Sequence, residues 1–203
     1  MPLSPPAARV PLHTRAITIR GYQREDGLYD IEAQLTDTKT YDFVNDDRGL
    51  IEAGEPLHGM WLRLTVDEGM RVVHAEAATD HSPYAICPRA APNFARLEGL
   101  VIGKGFLKHA AERVGGAVGC THLRELLQQV ATTAYQTINP ARARRELAAA
   151  GTGPAGAHPD GEAMDARISQ HFGGPPRMIG TCLAYGTDSP VVKRRWPELY
   201  TGN

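Results

Sequence analysis

The stretch whose residue types best suit chemistry is GGAVGCTHLRELL, residues 115–127. Its glycines lead into a predicted helix, and Cys120 stands at or just before the first turn of that helix. Unpaired backbone N–H groups and the positive end of the helix dipole favour a thiolate at such a position. His122 follows closely enough to accept the thiol proton or to share a metal ion. A structural interpretation stays open, because a cysteine is often a small buried apolar residue.

Two more cysteines extend this hypothesis to a metal centre. Cys87 precedes a proline in a turn after the last predicted sheet strand, and Cys182 lies at the start of a predicted final strand. Together with Cys120 and His122 they would form a Cys₃His set, which suits zinc or an iron–sulfur cluster. The chain has no CxxC pair, so this set depends on distant residues converging in the fold.

A second group of candidates lies at the ends of predicted strands. His58 stands just before a strand, beside Gly59, which allows close backbone approach. Asp37 follows another strand. We expect His58 and Asp37 to orient a substrate or to complete the coordination of a metal. His74 and His81 fall near the same end of the sheet as Cys87, and for both a solvated, structural interpretation is favoured over a functional one. His13, His109, His158 and His171 are given no role.

The first 80 residues carry the signature of an antiparallel sheet. Apolar and polar residues alternate over residues 17–20, 29–35, 60–66 and 72–77, which is the period of a half-buried strand. Asp26-Gly27 indicates a tight hairpin turn between the first two strands. The polar residues 42–57 are predicted to form a long connection.

The rest of the chain has a helical period. A short helix is predicted near residues 92–97, a second ends at Gly115-Gly116, and a third runs from His122 to about Ile138, where Pro140 stops it. Further predictions are a helix over residues 141–150, a mobile loop over 151–162, a weak helix over 164–171 and a strand over 181–185. Strands followed by helices indicate an α+β fold, with helices on one face of an antiparallel sheet. We expect a flexible arm over residues 1–14 and a single domain over residues 15–203.

Composition narrows the class of protein. The chain has 203 residues with a formal net charge of −1, 42% hydrophobic and 22% charged residues. These values indicate a folded domain and argue against a nucleic-acid binder, whose binding surface is usually basic. No apolar run is long enough to span a membrane or to act as a signal core. Three unpatterned cysteines favour a reducing cytoplasm. An uncovered edge of the predicted sheet could pair with the same edge of a second copy, so a homo-oligomer is an open alternative.

Several short motifs resemble one bacterial family. In chain order they are Arg20-Gly21-Tyr22, Asp26-Gly27-Leu28, Asp37-Thr38-Lys39, Gly54-Glu55-Pro56-Leu57-His58, Cys87-Pro88 and Gly119-Cys120-Thr121-His122-Leu123. From about residue 15 to residue 197 the chain resembles the domain-of-unknown-function family number 2889. The resemblance implies a soluble bacterial protein, often of catabolic character.

A fainter likeness is to iron–sulfur scaffold proteins, which are also α+β. Their cysteines follow a strand, begin a helix and occur again further on, and the matching positions here are Cys87, Cys120 and Cys182. The scaffold family carries a histidine beside its third cysteine, whereas Thr181 and Leu183 flank Cys182.

Two classes of function follow from these observations. In the first, the protein is a lyase or hydrolase of small-molecule catabolism, acting on an organic acid, an aromatic compound or a thioester. Cys120 would then be nucleophile or ligand, and His122 general base or ligand. In the second, the protein is a metal-binding or iron–sulfur scaffold, or an accessory subunit. Under a purely structural interpretation, all three cysteines belong to the core.

Overall fold

The computed structural model describes residues 3–149 and 179–202. The chain divides into two compact units, Met1–Ile138 and Asn139–Asn203, and each is described by itself. The predicted loop over residues 151–162 and the predicted helix over residues 164–171 lie outside the described residues. Residues 3–12 have no regular secondary structure and are exposed, and the first strand begins at His13.

The first unit is built on a four-stranded antiparallel sheet. Six strands precede the helices: β1 (His13–Gln23), β2 (Tyr29–Lys39), β3 (Phe43–Asn45), β4 (Gly49–Ile51), β5 (Pro56–Val66) and β6 (Val72–His81). The main sheet has the order β1-β2-β5-β6. The predicted antiparallel sheet of an α+β fold is therefore confirmed.

The turn at Asp26-Gly27 sets the register of β1 on β2. Gly27 has a φ of 85°, in the left-handed region that glycine tolerates best. The resulting ladder pairs Gln23 with Tyr29 and, at its far end, Arg15 with Asp37. The five residues that connect the strands, 24–28, thus determine which side chains meet at the opposite end of both strands.

The core lies on one face of this sheet, as the alternation of apolar residues predicts. The buried residues of β2 and β5 are Tyr29, Ile31, Ala33, Leu35, Met60, Leu62, Leu64 and Val66. Three helical segments follow in this part of the chain: a 3₁₀ segment (Cys87–Leu97), α1 (Phe106–Val114) and α2 (Thr121–Ala149). The predicted apolar stripe of α2 is buried: Leu123, Leu126, Leu127, Val130, Ala134 and Ile138.

The connection between β2 and β5 contains a small hairpin that the sequence analysis missed. β3 and β4 form a two-stranded sheet. The Asn45 side chain accepts hydrogen bonds from the backbone N–H groups of Asp47 and Arg48, both at 3.1 Å. Strands of three residues are too short to show a period of two, and a local side-chain turn specifies the hairpin instead.

The predicted stop at Pro140 is wrong, because α2 continues through this proline to Ala149. The helix predicted separately over residues 141–150 is the continuation of α2. A proline inside a helix removes one backbone hydrogen bond and costs about 3 kcal/mol. Ile138 and Ala143, on either side of Pro140, are buried, and burial of apolar residues offsets that cost.

In the second unit, the predicted strand over residues 181–185 is also wrong. Leu183–Tyr185 form a 3₁₀ turn, and the Leu183 side chain is 93% exposed. The segment is therefore a surface turn, although its β-branched and aromatic residues favour a strand. The next helix, α3 (Pro190–Arg195), begins at Ser189, whose hydroxyl accepts a hydrogen bond from the Val192 N–H. Among the described residues, no helix is long and apolar enough to cross a membrane.

Candidate functional site

A row of polar side chains crosses three strands at one end of the sheet. Arg15 pairs with Asp37 in the β1–β2 ladder, and Asp37 pairs with His58 in the β2–β5 ladder. Because side chains alternate along a strand, Asp37 and His58 lie on the same face as the core residues Leu35 and Met60. Asp37 is fully buried and His58 is 8% exposed. The apolar core of the sheet therefore continues into a buried polar pair, Asp37 and His58.

The carboxylate of Asp37 is fully engaged by neighbouring side chains. Its Oδ1 lies 2.8 Å from Arg15 Nε and 3.1 Å from His13 Nε2. Its Oδ2 lies 2.9 Å from Arg15 Nη2 and 2.9 Å from His58 Nδ1. Burial alone would raise the pKa of Asp37, but the hydrogen bonds and charge of Arg15, helped by His58 and His13, hold it below 3.8. Asp37 is thus an ionised, rigidly held acceptor.

His58 is held in one tautomer by Asp37. An ionised carboxylate only accepts hydrogen bonds, so the proton of the neutral ring lies on Nδ1 and the lone pair on Nε2. Burial lowers the pKa of His58 below 6.5, and the charge of His122 lowers it further, against the opposing effect of Asp37. At neutral pH, His58 is therefore an uncharged imidazole with an available basic nitrogen.

The first turn of α2 places a second imidazole on His58. The ring centroids of His58 and His122 are 3.9 Å apart, with the rings tilted by 35°. Glu125, three residues after His122, accepts a hydrogen bond of 2.6 Å from Arg15 Nη1. Arg15 therefore ties the first turn of α2 to the same carboxylate that orients His58.

Cys120 immediately precedes α2, where the sequence analysis placed it. Its carbonyl accepts a hydrogen bond of 3.0 Å from the Arg124 N–H. Its half-buried sulfur lies 3.8 Å from Met60 Sδ and 4.0 Å from His122 Nδ1. A Cβ at position 119 would overlap the carbonyl oxygen of Val114. Only glycine at this position lets the chain pass close enough to α1 to deliver Cys120 to the site.

The structure does not assemble the Cys₃His set. Among the described residues, the group of potential ligand atoms found together is Asp37, His58 and His122, whose atoms lie within 4.8 Å of one another. Cys87, at the start of the 3₁₀ segment, is outside this group, and the exposed Cys182 belongs to the second unit. Of the predicted site residues, Asp37, His58, Cys120 and His122 thus come together around the start of α2.

Sequence analysis missed three members of this cluster: His13, Arg15 and Glu125. A two-residue turn at Asp26-Gly27 would place Arg15 opposite Thr38, whereas the observed connection between β1 and β2 shifts the register by one residue and places Arg15 opposite Asp37. Glu125 lies on the His122 face of a predicted helix, at a spacing of three residues. His13 falls within the predicted flexible arm over residues 1–14, but it is the first residue of β1 and contacts Asp37.

A groove on the outer face of the same sheet contains none of the predicted residues. It is lined by Glu32, Trp61, Leu62, Arg63, Glu76, Ala77 and Ala78. Arg63 forms ion pairs with Glu32 and Glu76 at 2.6 Å and 2.5 Å. The lining of this groove contains no imidazole and no thiol. It therefore lacks the groups offered by the polar residues on the other face, which we call the core-face cluster: His13, Arg15, Asp37, His58, Cys120, His122 and Glu125.

One family model matches the chain. The family described as a protein of unknown function (DUF2889) matches residues 13–136, which is more than half of the 203 residues. The chain therefore belongs to this family. The matched region begins with β1 and includes every residue of the core-face cluster. No curated protein and no solved structure matches the chain, and a likeness to iron–sulfur scaffold proteins is not shown.

Proposed function

We propose that this DUF2889 protein is an enzyme of the hydrolase or lyase class that acts on a small molecule and uses His58 as its general base. One observation carries the proposal: the buried Asp37–His58 pair, in which Nδ1 is held at 2.9 Å from the carboxylate. A general base at neutral pH must be unprotonated and correctly oriented. Burial and His122 favour the neutral ring, and Asp37 orients it.

The surrounding residues have separate tasks under this proposal. Arg15 keeps Asp37 ionised through two hydrogen bonds. Cys120 is the nucleophile, and His122, the nearer imidazole, accepts its proton. The separation of 4.0 Å between the Cys120 sulfur and His122 Nδ1 is longer than that of a normal hydrogen bond. Catalytic hydrogen bonds are often long in a free enzyme and shorten when substrate binds.

Hydrolase and lyase chemistry differ in their need for the thiol. Acyl transfer from a thioester or ester uses Cys120 as nucleophile and passes through an acyl-enzyme. Removal of a proton beside the carboxyl or carbonyl group of an organic acid needs only the base, His58. Cys120→Ser thus abolishes the first reaction and spares the second.

The test of the general base compares His58→Gln and Asp37→Asn with a matched control, His74→Gln. His74 is an exposed sheet histidine that also contacts a carboxylate, Glu98, at 2.8 Å. The wild type and these three variants are assayed on activated esters, acyl thioesters and small hydroxy acids. We expect kcat/KM to fall by about 10²–10⁴-fold in His58→Gln and by a similar factor in Asp37→Asn. His74→Gln should keep the wild-type rate.

Near-ultraviolet circular dichroism establishes that each variant is folded before its rate is compared. The proposal fails if folded His58→Gln turns over a substrate as fast as the wild type. It also fails if His74→Gln loses as much activity as His58→Gln, since the loss would then have no link to the site.

A second function, binding a metal ion without catalysis, is favoured by the convergence of Asp37, His58 and His122. An iron–sulfur cluster is less well supported, because such clusters depend on several cysteine ligands. Cys120 is the one cysteine for which the described part of the chain shows a contact with these histidines.

A further inference from the structure

We infer that His58, His122 and Cys120 together form a binding site for a divalent transition metal, with zinc the ion that fits best. The inference rests on the proposed function and deepens it by naming the cofactor of the same site. This ligand set does not include Asp37. It also differs from the predicted Cys₃His set, because Cys87 and Cys182 are absent from it and His58 is added.

Asp37 is excluded as a direct ligand by its hydrogen bonds. Each of its oxygens already has two nitrogen partners within 3.1 Å, and a carboxylate oxygen has about two lone-pair sites. Asp37 instead stands behind His58. Metal-binding histidines almost always direct their second ring nitrogen to a carboxylate or carbonyl, which orients the ring and makes it more basic. The Asp37–His58 contact is of this kind, and it leaves His58 Nε2 for the metal.

Cys120 and His122 supply the other two ligands. Bonds of about 2.0–2.3 Å to a tetrahedral zinc ion place two ligand atoms roughly 3.5 Å apart. The sulfur of Cys120 lies 4.0 Å from His122 Nδ1, so a movement of about 0.5 Å brings this pair to ligand spacing. Cys120 is outside the group whose ligand atoms lie within 4.8 Å of one another, so its sulfur must also turn toward His58 for all three ligands to meet at one ion. The stacked rings of His58 and His122, whose centroids are 3.9 Å apart, must also separate by about 1 Å to direct nitrogens at one tetrahedral ion.

The kinds of ligand atom at the site determine which metal ion it prefers. Two imidazoles and one thiolate suit zinc, whereas magnesium and calcium require oxygen ligands. Three protein ligands leave the fourth position for water, which is the arrangement of catalytic zinc sites. Bound zinc lowers the pKa of that water toward neutrality. With zinc bound, His58, His122 and Cys120 would serve as ligands, and a metal-bound water would supply the base and the nucleophile in their place.

The first experiment asks whether the full-length, metal-free protein, without a histidine tag, binds zinc. Isothermal titration calorimetry should show one equivalent bound by the wild type. His58→Ala and His122→Ala should each weaken binding by more than 10-fold, and His74→Ala, the exposed control, should bind as the wild type does. Asp37→Asn should weaken binding by about 10–100-fold, as loss of a carboxylate behind a metal-binding histidine does.

The second experiment assigns the sulfur ligand by cobalt substitution. Thiolate coordination to Co²⁺ produces a charge-transfer band in the near ultraviolet, which we expect in the wild type. Cys120→Ser should lose this band. The chain provides its own matched controls, because Cys87→Ser and Cys182→Ser should keep the band at full intensity.

Two results would overturn the inference: a folded wild-type chain that binds no zinc, or a cobalt band that survives in Cys120→Ser. Its failure is distinguishable from failure of the proposed function. A metal-free protein whose turnover still depends on His58 overturns the metal site and keeps the enzyme. Zinc bound through His58, His122 and Cys120, with no turnover of the substrate panel, keeps the site and refutes the enzyme.

Discussion

The two faces of the sheet each carry an arginine between two carboxylates, in very different surroundings. On the core face, Arg15 contacts Asp37, which is fully buried, and Glu125, which is 52% exposed. On the outer face, Arg63 contacts Glu32 and Glu76, and these three side chains are 31–51% exposed. Only the core-face cluster has an imidazole in contact with its carboxylate. The comparison teaches that a fully buried carboxylate with an imidazole beside it, rather than an arginine between two carboxylates, distinguishes a candidate site from a structural ion pair.

The largest difference should appear when each arginine is replaced by methionine. Arg15→Met leaves a buried carboxylate without its main partner, which costs about 3 kcal/mol of unfolding free energy. Arg63→Met removes exposed ion pairs, which contribute about 0–1 kcal/mol. Urea denaturation of the two variants measures both values. Equal losses in the two variants would show that burial does not separate the two clusters.

Gly119→Ala should be the next largest change. The new Cβ overlaps the Val114 carbonyl, so the segment that carries Cys120 must move, at a cost of about 1–3 kcal/mol. Gly103→Ala is the matched control, because its Cβ would meet only Tyr135 Oη at 3.6 Å, an ordinary contact. Urea denaturation reports the stability of both. A Gly119→Ala protein as stable as Gly103→Ala would refute this account of the turn before α2.

The pH dependence of stability should also trace to the core face. Since the pKa of His58 in the folded protein lies below 6.5, the unfolded chain binds a proton at this residue first as the pH falls. Unfolding free energy should therefore decrease below about pH 6.5, by at most about 1.4 kcal/mol per pH unit for this one group. His58→Gln should remove that part of the slope. The outer-face variant Glu76→Gln should retain it.

The smallest effects are changes in the pKa of His58 itself, followed by NMR titration of its ring protons. Asp37→Asn should lower this pKa further, because the carboxylate favours the protonated ring. His122→Gln should raise it, because the charge of His122 opposes protonation of His58. Glu76→Gln should leave it unchanged. Shifts of the opposite sign would mean that the contacts of His58 are assigned incorrectly.

Some of this site could be predicted from local patterns. The Asp26-Gly27 dipeptide places the turn between β1 and β2, and the helical period places Cys120 and His122 at the start of α2. Predictions from helix-stop residues and strand propensity failed in two places. Pro140 does not end α2, and residues 181–185 do not form a strand.

The amino-acid sequence by itself determined the four long strands, the place of the first hairpin turn, the buried stripe of α2 and the glycines before Cys120, because each depends on neighbours a few residues away. Only the tertiary structure decided that Asp37 meets His58 across 21 residues and that Arg15 meets Glu125 across 110. A long connection that contains its own hairpin separates β2 from β5, so no short turn sets the register between them. The position of α2 is set by the packing of its apolar stripe. Contacts of this kind depend on the whole core, so no local pattern contains them.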